Sequence, residues 1–300
     1  MTSMKHKFGA LDLIRAGLQD LDRARTLFDE LHNDGIDDDR MRLLLATLEK
    51  ACDPDIALSN LVDIIKVMQS RGKDFTNIIA DENSFVRLIT VLGVSDEMGK
   101  LMRFRPELVE AAANDACESH LYNHEQRRAH VLKSVGADPN DHTMPTASLP
   151  LAEAATALRK TYRKQLAAIM AQDATANDPI EIQPRISTEL SDLADAALEG
   201  ALAIARHEVD GSEHVRFAII GMGKLGAQEL NYVSDVDLIY VVEPADMDTN
   251  GMALSRIGTK MATTLQRVCQ SVIMGVAEPT LWQIDGGLRP EGKDGPLVRR

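Results

Sequence analysis

Hydrophobic residues in the first half of the chain recur at intervals of three, four or seven. Leu11, Ile14, Leu18, Leu21, Phe28 and Leu31 fall on one face of a helical period, with Asp12, Asp20, Asp22 and Asp29 spread around the rest. That is the pattern of amphipathic helices that bury one stripe against a partner. Further helices are predicted around MRLLLATLEKA, ALSNLVDIIKVM, SFVRLITVLG and ELVEAAANDA, with Gly, Pro, Asp and Asn marking the turns between them. Together these segments predict a helical bundle over residues 1–135.

The periodicity lapses in SVGADPNDHTMPTASLP, which is rich in Pro, Gly, Ser and Asp, and a linker is predicted over residues 136–150. Helical spacing resumes with Leu158, Tyr162, Leu166 and Ile169, then with Leu190, Leu193, Ala197 and Ala201 after a break at Pro184. No repeat of fixed period is evident. At Val215 the pattern changes: VRFAII, VDLIYVV and TLWQID read as short strands. A helix carrying Leu254, Ile257, Met261, Leu265, Val268 and Val272 lies between the last two. Residues 151–300 therefore predict leading helices followed by a small sheet, and the chain as a whole a mainly helical α+β fold.

Composition agrees with that fold and narrows the function. Of 300 residues, 44% are hydrophobic and 26% charged, as in a soluble globular chain, and only 4% are aromatic. The formal net charge of -13, with no basic run, argues against a nucleic-acid-binding surface, which needs a cationic footprint. Cys52, Cys117 and Cys269 are far apart and lack metal-ligand spacing, so neither disulfides nor a zinc site is expected. The N-terminal stretch has no apolar core of signal-peptide length and no later run approaches a membrane span, which predicts a cytoplasmic chain.

Candidate chemistry concentrates in FAIIGMGKLGAQELNYVSDVDLIYVV, residues 217–242. Gly221, Gly223 and Gly226 spell the glycine pattern of a dinucleotide-binding turn. A parallel crossover, however, takes about a dozen residues or more, and here only AQELNYVS separates the glycine turn from the next strand. Asp235 and Asp237, two apart at the start of an extended segment, point to one face and repel unless a cation lies between them. A hard divalent ion such as magnesium fits such oxygen ligands. The bland alternative for the pair is a solvated strand start.

Two features of the context favour the metal. The amides of the glycine turn, with Lys224, are placed to hold phosphate oxygens. Asp285, closing the strand TLWQID, supplies a third carboxylate of the kind a two-metal nucleotidyl-transfer site uses. Trp282 and Tyr240 lie on the faces opposite these carboxylates and are expected in the core. His120 and His124, in SHLYNHEQRR, have helical spacing for a metal but are expected on a solvated face.

The arrangement Gly223-Lys224, Asp235-x-Asp237 and Asp285 resembles the polymerase β-like nucleotidyltransferases. GMGKLGAQELNYVSDVDLIYV with DGGLRPEGKDGPLV is similar to the bifunctional glutamine synthetase adenylyltransferase/adenylyl-removing enzymes, specifically in Gly226, Glu229, Leu230, Ser234 and Leu288-Arg289-Pro290. GVSDEMGKLMRFRPELVE, LRKTYRKQLAAIMAQD and TELSDLADAALEGAL resemble the helices that precede the same domain, so the likeness covers most of the chain. Two positions depart from it: Ala227 stands where a glycine is common, and Gly286-Gly287 follows the third carboxylate.

The resemblance implies the N-terminal, adenylyl-removing half of such an enzyme, with a small mixed-sheet core that is C-terminally incomplete, since the family's domain continues beyond GPLVRR. The implied reaction is phosphorolysis of the adenylyl-tyrosine of glutamine synthetase, releasing ADP. Transfer of AMP from ATP to the same tyrosine is expected of the other half. Asp235, Asp237 and Asp285 would ligate magnesium. Gly223 and Lys224 would orient phosphates, and Ser234 would bond a phosphate oxygen or shape the strand's start. Arg289 and Lys293 would meet the phosphate or adenylate, or pair with Glu291 or Asp294 at the surface. Glutamine synthetase, ATP, ADP and inorganic phosphate are the implied partners, with the PII signal protein and glutamine as regulators of nitrogen assimilation. The alternative is a catalytically incomplete module that only docks on glutamine synthetase.

Overall fold

The structure, a computed structural model, describes residues 8–73, 75, 78, 80–113, 122–245, 250–288 and 292–300, without the side chain of Lys293. The chain divides into two compact units. One holds residues 1–120 with 167–179, and the other residues 121–166 with 180–300.

The first unit is helical. Its elements are α1 (Ala10–Arg15), α2 (Leu21–Asn33), α3 (Asp38–Leu48), α4 (Pro54–Ser70), α5 (Glu82–Val94), α6 (Asp96–Phe104) and α7 (Pro106–Ala113). Their starts are chemically marked: Asp20, Asp37, Asp53, Asp81 and Ser95 each accept a backbone N–H from the first turn of the helix that follows, satisfying a donor the helix cannot. The stops are marked too. Gly17 has φ 82°, and the bonds Gly17 N–H to Ile14 O and Leu18 N–H to Leu13 O close a Schellman turn.

That turn corrects the single hydrophobic face expected over residues 11–31. The chain breaks into two short helices at Gly17, the phase slips, and Leu13 is buried while Leu11 is 70% exposed and Ile14 55%. Leu18, Phe28 and Leu31 are buried. α4 packs against α2, α3, α5 and α6 through Ala57, Leu58, Leu61, Val62, Ile64 and Ile65.

The second unit carries α8 (His124–Ser134), most of α9 (Leu151–Ala174), α10 (Pro179–Glu208) and the sheet. The expected break at Pro184 does not occur, and α10 runs through it. Pro184 is the sixth residue of the helix and forgoes only the one i→i−4 bond its own N–H would make. The irregular segment 136–150 is held by two arginine side chains and one backbone bond: Arg128 donates to Pro139 O and Asp141 O, Arg206 donates to Pro145 O, and Ala147 N–H donates to Ala203 O.

The sheet is small and mixed. β1 (Val215–Gly221) and β2 (Val236–Pro244) are antiparallel, with Gly221 opposite Leu238 and Val215 opposite Pro244. β3 (Ile284–Asp285) and β4 (Val298–Arg299) both run parallel to β2. The antiparallel β1–β2 pair rules out the dinucleotide reading, which needs parallel strands there. Between them α11 (Gly223–Gly226) makes one turn.

α12 (Gly251–Gln270) covers the sheet with Leu254, Ile257, Met261, Leu265 and Val268. Val272, expected on that face, lies past the helix end and is 90% exposed. A Cβ at Gly258 would come within 2.8 Å of Val242 Cγ1, so only glycine lets the helix lie this close. Among the described residues no helix is long and apolar enough to cross a membrane.

Candidate active site

Alternation along β2 sets the site. Val236, Leu238, Tyr240 and Val242 are buried toward α12, so the odd positions, Asp237 among them, leave by the other face. Asp235, exposed, stands just before the strand and Asp237 is half-buried. Asp237 is the register partner of Asp285 across the parallel β2–β3 pair, which places their side chains on one face of adjacent strands.

The bonds that lay residues 281–285 beside β2 come largely from α12. Leu281 N–H donates to Cys269 O, Ile284 N–H donates to Gln270 Oε1 at 2.7 Å, and Val236 N–H donates to Gln283 O at 3.0 Å. This is why the predicted strand over residues 280–285 shrinks to two residues: the helix end takes amides a ladder would use. Arg159 anchors the same corner. It is 1% exposed, and its guanidinium donates to Val268 O, Ser271 O and Glu278 O. The last carbonyls of α12 are thereby satisfied by a cation at the negative end of the helix.

Met222 N–H donates to Asp237 O at 2.8 Å, and Gly223 follows at φ 52°. A Cβ there would lie 2.5 Å from Asp237 Oδ2. Gly223 therefore gives room to the carboxylate itself, a role its place in the glycine turn did not announce. The exposed Lys224 Nζ lies 3.4 Å from Ser234 Oγ. That hydroxyl donates to Asn231 Oδ1 at 2.9 Å and accepts from Asn231 N–H, so it is engaged in the turn before Asp235. Asp285 Oδ1 accepts Gly287 N–H at 2.6 Å. Arg289 and the side chain of Lys293 lie outside the described residues.

Among the described residues none of the three aspartates is paired with a Lys or Arg. Asp237 and Asp285 share one face of adjacent strands, and Asp235 stands just before it. Among the described residues the three carboxylates are not a group whose ligand atoms all lie within 4.8 Å of one another. Trp282 and Tyr240 are packed rather than free to stack. Trp282 Nε1–H donates to Tyr162 OH at 3.1 Å with the rings edge-on, and Tyr240 lies 5.8 Å from Phe217, ring to ring.

One further group joins His124, expected with His120 on a solvated face and exposed there, to two aspartates that the sequence does not single out. His124, at the start of α8, meets Asp192 and Asp195 of α10, with one ligand atom from each lying within 4.8 Å of the others. The Asp192–Asp195 spacing marks one helix face, but no local pattern ties it to a histidine 68 residues upstream. His120 lies outside the described residues.

Comparison with known proteins agrees along the whole chain. The family model described as glutamate-ammonia ligase adenylyltransferase matches residues 85–300. A bifunctional glutamine synthetase adenylyltransferase/adenylyl-removing enzyme of Bifidobacterium longum (strain DJO10A) is 71% identical over 299 residues, covering 100% of this chain and 28% of the relative. Proteins described in the same words from Cutibacterium acnes and Streptomyces avermitilis are 37% and 33% identical, each across 96% of this chain, which covers 28% and 26% of their lengths. The chain thus spans little more than a quarter of these relatives. By these matches the chain belongs to the glutamate-ammonia ligase adenylyltransferase family.

Proposed function

We propose that this chain carries the adenylyl-removing site of a bifunctional regulator of glutamine synthetase. The reaction is the attack of inorganic phosphate on the adenylyl phosphorus of a modified tyrosine. The phosphate oxygen forms the new P–O bond, the tyrosyl O–P bond breaks, and tyrosinate leaves to take a proton from solvent. ADP and unmodified glutamine synthetase are the products. The observation that carries this reading is the register of Asp237 with Asp285 beside a glycine turn, in a chain whose relatives are named for both activities.

Asp235, Asp237 and Asp285 would hold magnesium, in keeping with their having no Lys or Arg partner among the described residues. When bound, the ion supplies charge stabilisation to the phosphoryl oxygens and the leaving tyrosinate. Gly223 keeps the space in which the Asp237 carboxylate stands. Lys224 is exposed beside the turn and meets a phosphate oxygen, while Ser234 holds the turn that presents Asp235. Arg289 and Lys293 complete the anion site. The relatives' other activity, transfer of AMP from ATP, belongs to the part of their length this chain does not span. A PII signal protein and glutamine set the balance between the two, in the cytoplasm.

The test is release of ADP from adenylylated glutamine synthetase by this chain with phosphate and magnesium. Release that requires phosphate and vanishes in Asp235→Asn supports the reading. No release from the wild-type chain, or full release from the variant, contradicts it.

A further inference from the structure

His124, Asp192 and Asp195 are not used by the reaction above. His124 is the first residue of α8, and the two aspartates are three apart on one face of α10. One ligand atom from each lies within 4.8 Å of the others. Zinc binds imidazole nitrogen and carboxylate oxygen at about 2.0–2.2 Å in tetrahedral sites, which sets its ligand atoms about 3.4 Å apart. Side-chain movement of about an ångström brings them to that spacing, and the His124 side chain is 49% exposed, 3.9 Å from Glu125.

Among the described residues neither Asp192 nor Asp195 makes a hydrogen bond or a salt bridge. Burial pushes the Asp195 carboxyl up to about 6; His124 opposes the shift and Asp192 adds to it. The two acids sit near each other, with Arg127 acting on Asp192 from α8.

A second observation comes from the cleft these residues line. It has a volume of about 460 Å³, and His124 and Asp195 share its wall with Thr143, Glu199 and Arg206. Arg206 is 7% exposed and donates through Nη1 to Pro145 O, yet its Nε–H finds no acceptor. The cleft thus has room for water or a small anion, and a buried donor with unmet capacity on its wall.

Its place in the sheet separates it from the carboxylates of β2. Phe217, Ile219 and Gly221 line the cleft, and they are register partners of Val242, Tyr240 and Leu238. Partners share a face, so the cleft lies on the face of the β1–β2 pair opposite to that from which Asp237 projects.

We propose that His124, Asp192 and Asp195 form a second metal site, taking a zinc-class divalent cation whose open position holds a water facing the cleft. The imidazole sets the metal class, because nitrogen suits zinc and its neighbours, whereas magnesium prefers all-oxygen shells. The ion ties the start of α8 to the middle of α10. This inference is independent of the phosphorolysis reading.

The test is calorimetric titration of zinc chloride into the metal-stripped full chain at pH 7.5. One zinc per chain is expected, with affinity weakened about tenfold or more in His124→Ala and in Asp195→Asn. Asp237→Asn is expected to leave zinc affinity within about twofold, as a distant independent site should. If His124→Ala loses its helical circular dichroism, the isosteric Asp195→Asn decides alone. Zinc binding that is absent, equal in wild type and Asp195→Asn, or lost in Asp237→Asn overturns the proposal.

Discussion

Asp237 and Asp285 stand opposite one another across the parallel pairing of β2 and β3. Adjacent strands are about 4.8 Å apart, so two side chains nearly fifty residues apart in sequence leave one face as neighbours. What holds them there is the end of α12: Gln270 receives the amide of Ile284, and Arg159 fixes the carbonyls of Val268 and Ser271.

Gly223→Ala is expected to damage the site more than the fold. The left-handed φ costs about 1–2 kcal/mol for a residue with a Cβ, and that Cβ would meet Asp237 Oδ2. The carboxylate can swing aside, so the chain folds with its oxygens displaced, and a displacement of this kind costs about a hundredfold in rate. Phosphate-dependent ADP release alongside urea unfolding measures both. An alanine variant with wild-type rate would show that Asp237 tolerates the intrusion.

Arg159→Met should destabilise the second unit by on the order of 3 kcal/mol, since buried carbonyls at the end of α12 lose their donors. Arg159→Lys is expected to recover little, because one ammonium cannot reproduce a fork that reaches Val268, Ser271 and Glu278 at once. Urea midpoints of the two variants decide; a lysine variant as stable as wild type would speak against the fork.

Cys269 is expected to resist alkylation. Burial pushes its thiol up to about 12, so at pH 8 only about one part in ten thousand is thiolate, whereas Cys52 is exposed. Peptide mapping after iodoacetamide should find Cys52 modified and Cys269 spared until denaturant is added. Equal labelling of the two in the native chain would mean that the end of α12 opens readily.

Periodicity made much of this fold legible in the sequence, and its failures have local causes. β1 and β2 were readable because their buried positions alternate over seven and nine residues. β4 was not, because two residues in LVRR carry no pattern. Leu11 and Ile14 were misplaced because a left-handed glycine at 17 resets the helical phase, and spacing alone does not record that. Gly223, Lys224, Asp235 and Asp237 could be singled out because they lie within fifteen residues of one another. The His124–Asp192–Asp195 cluster and the buried Arg159 could not, since the residues they meet are brought to them only by packing.

The most direct measurement is a double-mutant cycle on phosphate-dependent ADP release with Asp237→Asn, Asp285→Asn and both together. Groups that serve one ion set act as a unit, so each single change should lower the rate by about a thousandfold or more, and the double change should be little worse than either. Undiminished release from either single variant, or losses that simply multiply, would contradict a shared site.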